Sequence, residues 1–110
     1  MSTPAIQGTK VVTIFRSRLN EEHRPEYAAL APEIMTLAKE TPGFLSAKSF
    51  AAQDGERLTI VEFDSWENHE AWGRHPRHLE AKKLGIQKFY QTYDITVCGV
   101  YNERHFEVKR

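Results

Sequence analysis

The stretch from Phe44 to Phe63, FLSAKSFAAQDGERLTIVEF, decides the fold. Both of its ends favour extended backbone: Phe44–Ala52 on one side and Arg57–Phe63 on the other, the latter carrying Leu58, Thr59, Ile60, Val61 and Phe63. Between them stands Gln53-Asp54-Gly55-Glu56, and an Asp-Gly pair supplies the left-handed backbone that a tight antiparallel turn needs. The reading is a hairpin. Upstream, Thr41-Pro42-Gly43 closes a helix predicted over Pro25–Glu40, in which Tyr27, Leu30, Ile34, Leu37 and Ala38 return at three- and four-residue steps. Pro32 inside it removes a backbone donor and crowds the preceding turn, which predicts a kink or a separate first turn. Before that helix come a polar link, Asn20–Arg24, and a strand over Lys10–Leu19 with Val11, Val12, Thr13, Ile14 and Phe15. Downstream, Asp64 or Ser65 caps a helix running to about Arg74, with Glu67 in its first turn. His75-Pro76 breaks it, because a residue before proline avoids helical dihedrals. Pro76 suits the first position of a further helix carrying Leu79, Ile86 and Phe89, and Gly85 weakens or divides that segment. Tyr93–Val100 is the last predicted strand, and Asn102–Arg110 is a polar tail.

The element order is β-α-β-β-α-β, an α+β arrangement of the ferredoxin-like kind: a four-stranded antiparallel sheet with its helices on one face. When the other face meets water, strands alternate apolar with polar. These strands do so poorly. Val12 and Ile14 oppose Val11 and Phe15, Leu58 and Ile60 oppose Val61 and Phe63, and Ile95 and Val97 oppose Cys98 and Val100. Contiguous exposed apolar patches beyond about a few hundred Å² are rare on soluble monomers, so the second face requires a cover. A second copy of the chain, giving a homodimer, is one cover. The other reading is that some of these residues line a ligand cavity within a monomer.

Length and charge bound the rest. The 110 residues make a single domain, 1–110, with a core over about 10–106 and polar tails at 1–9 and 107–110. With 15 basic against 15 acidic residues there is no basic field for nucleic acid or an anionic membrane. Hydrophobic residues at 40% and charged residues at 27% describe an ordinary globular composition. Cys98 is the single cysteine, which excludes an internal disulfide and a cysteine-based zinc cluster. Residues 1–10 lack an apolar core of signal-peptide type, and no apolar run reaches transmembrane length, so the expected location is cytoplasmic. There is no GxGxxG, P-loop, GxSxG or HExxH motif, and nothing in the sequence demands a cofactor.

The candidate chemistry concentrates in Trp66–Tyr93, which holds three of the five histidines and both tryptophans. His69, His75 and His78 are weighed as a metal site against a solvated face, and the proline between His75 and His78 favours the second, so no metal is expected. On a helix from Pro76, His78, Lys82, Gly85 and Phe89 fall along one stripe, a poor core but a fitting wall for a partly polar cavity. Trp72 is read either as an aromatic wall of that cavity or as plain core, and His78 either as a pocket residue or as an interfacial one. Arg16, beyond Val12 and Ile14 on one strand face, is either a clamp for a ligand carboxylate or phenolate or a strand-end arginine reaching solvent or Glu62. Cys98 reads as a small buried hydrophobe.

The pattern Pro42-Gly43-Phe44, then Glu62-Phe63, then Trp72-x-x-His75-Pro76-x-His78-Leu79-x-Ala81-x-x-x-Gly85-x-x-x-Phe89-Tyr90-x-x-Tyr93 resembles the antibiotic biosynthesis monooxygenase family, in particular its small stand-alone bacterial members. The resemblance runs from about Lys10 to Phe106. It implies a ferredoxin-like protomer paired into a dimeric α+β barrel. It also implies cofactor-independent oxidation by O2 of an electron-rich aromatic or polyketide-like molecule. On that reading Trp72 and His78 are the catalytic residues, while Arg16, Phe63, His75 and Phe89 bind the substrate. A non-catalytic dimeric domain holding a small apolar ligand is the alternative, and a heme-binding protein the third. Heme-degrading relatives carry an asparagine on the first strand and a histidine ten residues after the tryptophan. Here Ile14, Phe15 and Arg16 occupy that strand and Lys82 that position, which speaks against heme degradation.

Overall fold

The Asp54-Gly55 turn forms as its chemistry requires. Gly55 sits at φ +93°, Ala52 N–H donates to Glu56 O at 2.8 Å, and the Asp54 carboxylate accepts from Glu56 N–H at 3.0 Å. It joins β2 (Phe44–Ala51) to β3 (Arg57–Phe63). The computed structural model describes residues 9–109, so the polar character expected of residues 1–8 and of the terminal Arg110 lies outside the described residues. Two more strands complete the sheet, β1 (Val11–Leu19) and β4 (Tyr90–Gly99), in the all-antiparallel order β2-β3-β1-β4. Three helices connect them: α1 (Arg24–Lys39) between β1 and β2, and α2 (Trp66–Gly73) then α3 (Pro76–Leu84) between β3 and β4. A π-helical turn, Gly85–Phe89, leads from α3 into β4. The order is thus β-α-β-β-α-α-β, the second helical crossover being broken in two at His75-Pro76.

Local chemistry sets these boundaries. Glu40 caps α1, Thr41 Oγ1 donates to Ala38 O at 2.6 Å, and Gly43 turns the chain at φ +82°. A Cβ at Gly43 would also fall 2.4 Å from Asp64 and Asn68, so glycine is required there twice over. Ser65, not Asp64, caps α2 by accepting from Asn68 N–H at 3.2 Å. The kink or separate first turn expected at Pro32 does not form as a break: α1 runs helical through it. Pro32 is exposed there, and its carbonyl accepts from Thr36 Oγ1 at 2.9 Å. The last strand begins at Tyr90, three residues before its predicted start, because an irregularity at Arg18/Leu19 extends pairing to Leu19 and Tyr90.

Strand alternation and register divide the sheet into two faces. Val11, Thr13, Phe15 and Ser17 of β1 share the helix-covered face with Arg57, Thr59, Val61 and Phe63 of β3 and with Tyr93, Ile95 and Val97 of β4. The core sits here, where Ala38, Phe63 and Trp72 pack together with Ile34, Leu37, Phe44 and Val61 around them. Phe63 and Val11 are fully buried. Val12, Ile14, Leu58, Ile60, Cys98 and Phe50 lie on the opposite face, which no helix among the described residues covers. None of the helices among the described residues is long and apolar enough to cross a membrane.

Candidate functional site

Between the helices and the sheet lies a cavity of about 810 Å³. That is within the range of small-molecule sites, roughly 300–1,000 Å³. Thr13, Phe15, Thr59 and Val61 floor it, while Trp72 and His78 wall it. Its mouth lies over β4, where Tyr93, Ile95 and Val97 line the cavity yet remain exposed. The helices therefore leave part of their own sheet face uncovered.

The break at His75-Pro76 builds the wall. Trp72 is anchored in the core, and the chain then stops being helical for two residues, Arg74 and His75. His75 caps the restarted helix, its Nδ1 accepting from Arg77 N–H at 3.1 Å. The restart returns His78 to Trp72: the two rings stack at 4.4 Å with 9° between their planes. His78 Nδ1 lies 3.1 Å from the Trp72 carbonyl. A carbonyl only accepts, so the proton resides on Nδ1 and the lone pair on Nε2. Burial, aided by the nearby charges of Lys82, His75 and His69, pushes the imidazole pKa down to about 4, against the opposing pull of the carbonyl. At neutral pH His78 is an uncharged base.

A second imidazole belongs to the cavity. His69 stacks on Trp66 at 5.3 Å, and its Nε2 is 3.0 Å from Thr13 Oγ1. Its Nδ1 is buried and makes no hydrogen bond; Glu70 stands 3.3 Å away without the angle for one. At the other end, Tyr27, Tyr90 and Phe89 meet edge to face, with the Arg57 guanidinium over the Tyr27 ring at 5.7 Å. Burial raises the Tyr90 phenol well above its ordinary pKa, so it stays protonated.

Of the residues singled out in the sequence, Phe63, Trp72, His78 and Phe89 come together on this cavity. His75 touches Trp72 at 5.3 Å but serves as a helix cap and does not line it. Arg16 is on the other side of the sheet. Its guanidinium donates to both carboxylate oxygens of Glu56 at 3.1 Å and is exposed, so the strand's alternation removes it from the cavity. The expected partner Glu62 is taken by Lys10 at 2.6 Å. The stripe expected on α3 is shifted: Ile86 lines the cavity where Gly85 was expected, because Gly85 lies so close to Tyr90 that a Cβ would fall 2.6 Å from its ring. His75 and His78 both pack on Trp72, and among the described residues no group of three or more His, Cys, Asp or Glu is placed to hold a metal ion. Sequence reasoning missed Thr13, Tyr27, Arg57 and Tyr90. Alternation along β1 and β3 is the signal that ties Thr13 and Arg57 to Phe15 and Phe63.

Residues 10–84 match the antibiotic biosynthesis monooxygenase family. The uncharacterized protein YqjZ of Bacillus subtilis is 31% identical over 91 residues, spanning 83% of this chain and 80% of its own length. Among solved structures, Rv0793 from Mycobacterium tuberculosis superposes with a TM-score of 0.78 at 18% identity, covering 88% of this chain and 100% of that one. SnoaB from Streptomyces nogalater, a cofactor-independent oxygenase, superposes with a TM-score of 0.72 at 11% identity, covering 86% of this chain and 96% of its own. At such identities the two structures speak for the fold alone.

Proposed function

Because the chain belongs to the antibiotic biosynthesis monooxygenase family, we propose that it oxidises an electron-rich aromatic small molecule with O2 in the cavity beside Trp72, without a resident cofactor. The carrying observation is the stacked pair Trp72–His78, which presents an uncharged imidazole nitrogen within a largely apolar space. SnoaB, a cofactor-independent oxygenase of the same fold, supports the choice of chemistry.

The reaction needs little from the protein. A phenol in tautomeric balance with an anthrone-type CH2 group gives its proton to His78 Nε2. The phenolate and the imidazolium then stabilise each other, which lifts the imidazole from the depressed pKa of the empty site. The anion passes an electron to O2, and the two radicals combine to form a carbon–oxygen bond as a peroxide anion, which takes back the proton held on His78 to become a hydroperoxide. Loss of the remaining proton on that carbon, with departure of hydroxide, leaves a carbonyl and water. All electrons taken up by O2 come from the substrate, so no external reductant enters. Trp72 offers a stacking face, and Phe63 and Phe89 close the space against water.

The same reading pairs two protomers through the uncovered sheet face into a dimeric α+β barrel. Val12, Ile14, Leu58, Ile60 and Cys98 form its apolar centre, and Phe50 is 45% exposed there. Around them Lys10–Glu62, Arg16–Glu56 and Arg18–Asp54 are already paired, while Lys48, over the Phe50 ring at 5.3 Å, and Asp94 have no ion-pair partner among the described residues, so a docked copy must leave these two at the rim or pair them.

Oxygen uptake with an anthrone and hydroquinone panel tests the function. Wild type is expected to exceed buffer with at least one compound, and His78→Ala to reduce that rate by about 100-fold or more, the usual worth of a positioned base. Uptake no faster than buffer for every compound would sink the oxygenase reading. Equal rates for wild type, His78→Ala and Trp72→Phe would remove both residues from the chemistry.

A further inference from the structure

The cavity has one end that the oxidation itself does not use. Arg57 opens β3 on the cavity face, half-buried, with Thr59 and Val61 following it along the floor. The other two arginines of the sheet are paired, Arg16 with Glu56 and Arg18 with Asp54. Arg57 has no carboxylate partner among the described residues, only the face of Tyr27. Tyr90 adjoins Tyr27 at 6.0 Å between ring centres and lines the same space. A guanidinium withdrawn from water toward apolar walls is costly until a counter-charge arrives, and its planar fork fits a carboxylate in two parallel hydrogen bonds.

We propose that this end of the cavity binds a carboxylate, so that the ligand is an aromatic acid whose acid group is gripped by Arg57 beside Tyr27 and Tyr90 while its phenolic end reaches His78. The proposal rests on the function above for the identity of the far end, but the anion site stands on Arg57 itself. Tyr90, held protonated by burial and by its neighbour Tyr27, brings no negative charge that would compete with an anion. Both ends share one floor: Arg57 and Val61 are four residues apart on β3, roughly 13 Å at about 3.3 Å per residue, and Val61 pairs with Thr13, the partner of His69. Lys82 and Arg74 are the other cations on the cavity: Lys82 is exposed on α3 one turn beyond His78, where water solvates its ammonium, and Arg74 is exposed and stands 4.0 Å from the Glu70 carboxylate. Neither has a comparable need of an anion.

Titration calorimetry at pH 7.5 with 6-hydroxy-2-naphthoate and with its methyl ester tests the site without turnover. Wild type is expected to bind the acid about tenfold or more tightly over the ester, as a charge-assisted pair implies. Arg57→Gln removes that preference and leaves ester affinity unchanged. Arg57→Lys, which keeps the charge but loses the fork, retains part of it and answers the question should the glutamine variant not fold. Lys82→Gln keeps the full preference. Equal affinities for acid and ester in wild type, a preference that survives Arg57→Gln, or one that is lost in Lys82→Gln would each overturn the proposal. Binding of neither compound overturns both this site and the cavity's role. An acid preference carried by Arg57, together with no oxygen uptake on any substrate, leaves the anion site standing and removes the oxygenase.

Discussion

The two faces of the sheet are made by the same strands and differ by one residue of phase. On one, Thr13 and Phe15 look toward Trp72, His69 and His78 across an open volume. On the other, Val12 and Ile14 lie beside Ile60 and Cys98 in a flat apolar field bordered by ion pairs. Both faces are apolar enough to pass for core. What separates them is the state of their polar groups. Most charges on the uncovered face are already matched, Lys48 and Asp94 excepted, whereas the cavity holds an imidazole with a free nitrogen, a second with an unbonded buried one, and a guanidinium without a counter-ion. Unmatched polar groups inside apolar walls are where a ligand gains binding energy.

The largest expected effect that probes this contrast is on stability. Phe63→Ala should cost about 3–5 kcal/mol in urea denaturation, since a fully buried ring is removed from the packed face. Ile60→Ala, across the sheet, should cost well under half as much in the monomer; equal losses would erase the distinction between the faces. Second, Ile14→Glu places a charge at the centre of the uncovered face and is expected to convert a sedimenting dimer into a monomer with unchanged circular dichroism. A wild-type monomer at micromolar concentration would break the pairing argument at once. Third, pH acts from the cavity side. The folded pKa of His78, about 4, lies below its ordinary 6.5, so the unfolded chain takes up a proton first as pH falls. Stability is therefore full above about pH 6.5 and declines toward pH 4, by on the order of 2 kcal/mol after allowing for partial solvent access. His78→Phe should flatten that decline in denaturation midpoints measured across the range, and an unaltered slope would show that other groups cause it. The smallest effect belongs to Arg16→Gln: oxygen uptake and ligand affinity should match wild type, since its partner Glu56 is outside the cavity.

How far the sequence carried depended on the range of the interaction. Signals acting within a few residues were legible: Asp54-Gly55 for the hairpin, Thr41-Pro42-Gly43 for the end of α1, His75-Pro76 for the break that restores His78 to Trp72. Pro32 does not set off a separate first turn, since α1 runs helical across it with the ring exposed. Arg16 was weighed as a ligand clamp because alternation told its phase relative to Val12 and Ile14, but not which phase the helices cover. That choice rests on Phe63, Trp72 and Ala38 meeting across the fold. Tyr27, Arg57 and Tyr90 form one corner from α1, β3 and β4, and no short pattern joins residues so far apart.

The π-helical turn at Gly85–Phe89 sets the phase between the α3 wall and β4. A π turn holds one residue more than the α-helical pitch would place there. Removing one residue from this turn would rotate the start of β4 by about 100° relative to α3, taking Phe89 and Tyr90 away from the cavity together. Substitutions elsewhere resize the site by single atoms, whereas an insertion or deletion here would re-index an entire wall. The length of this turn is thus a setting separate from the composition of the site: one residue more or fewer would re-aim Phe89 and Tyr90 together while leaving Trp72 and His78 in place.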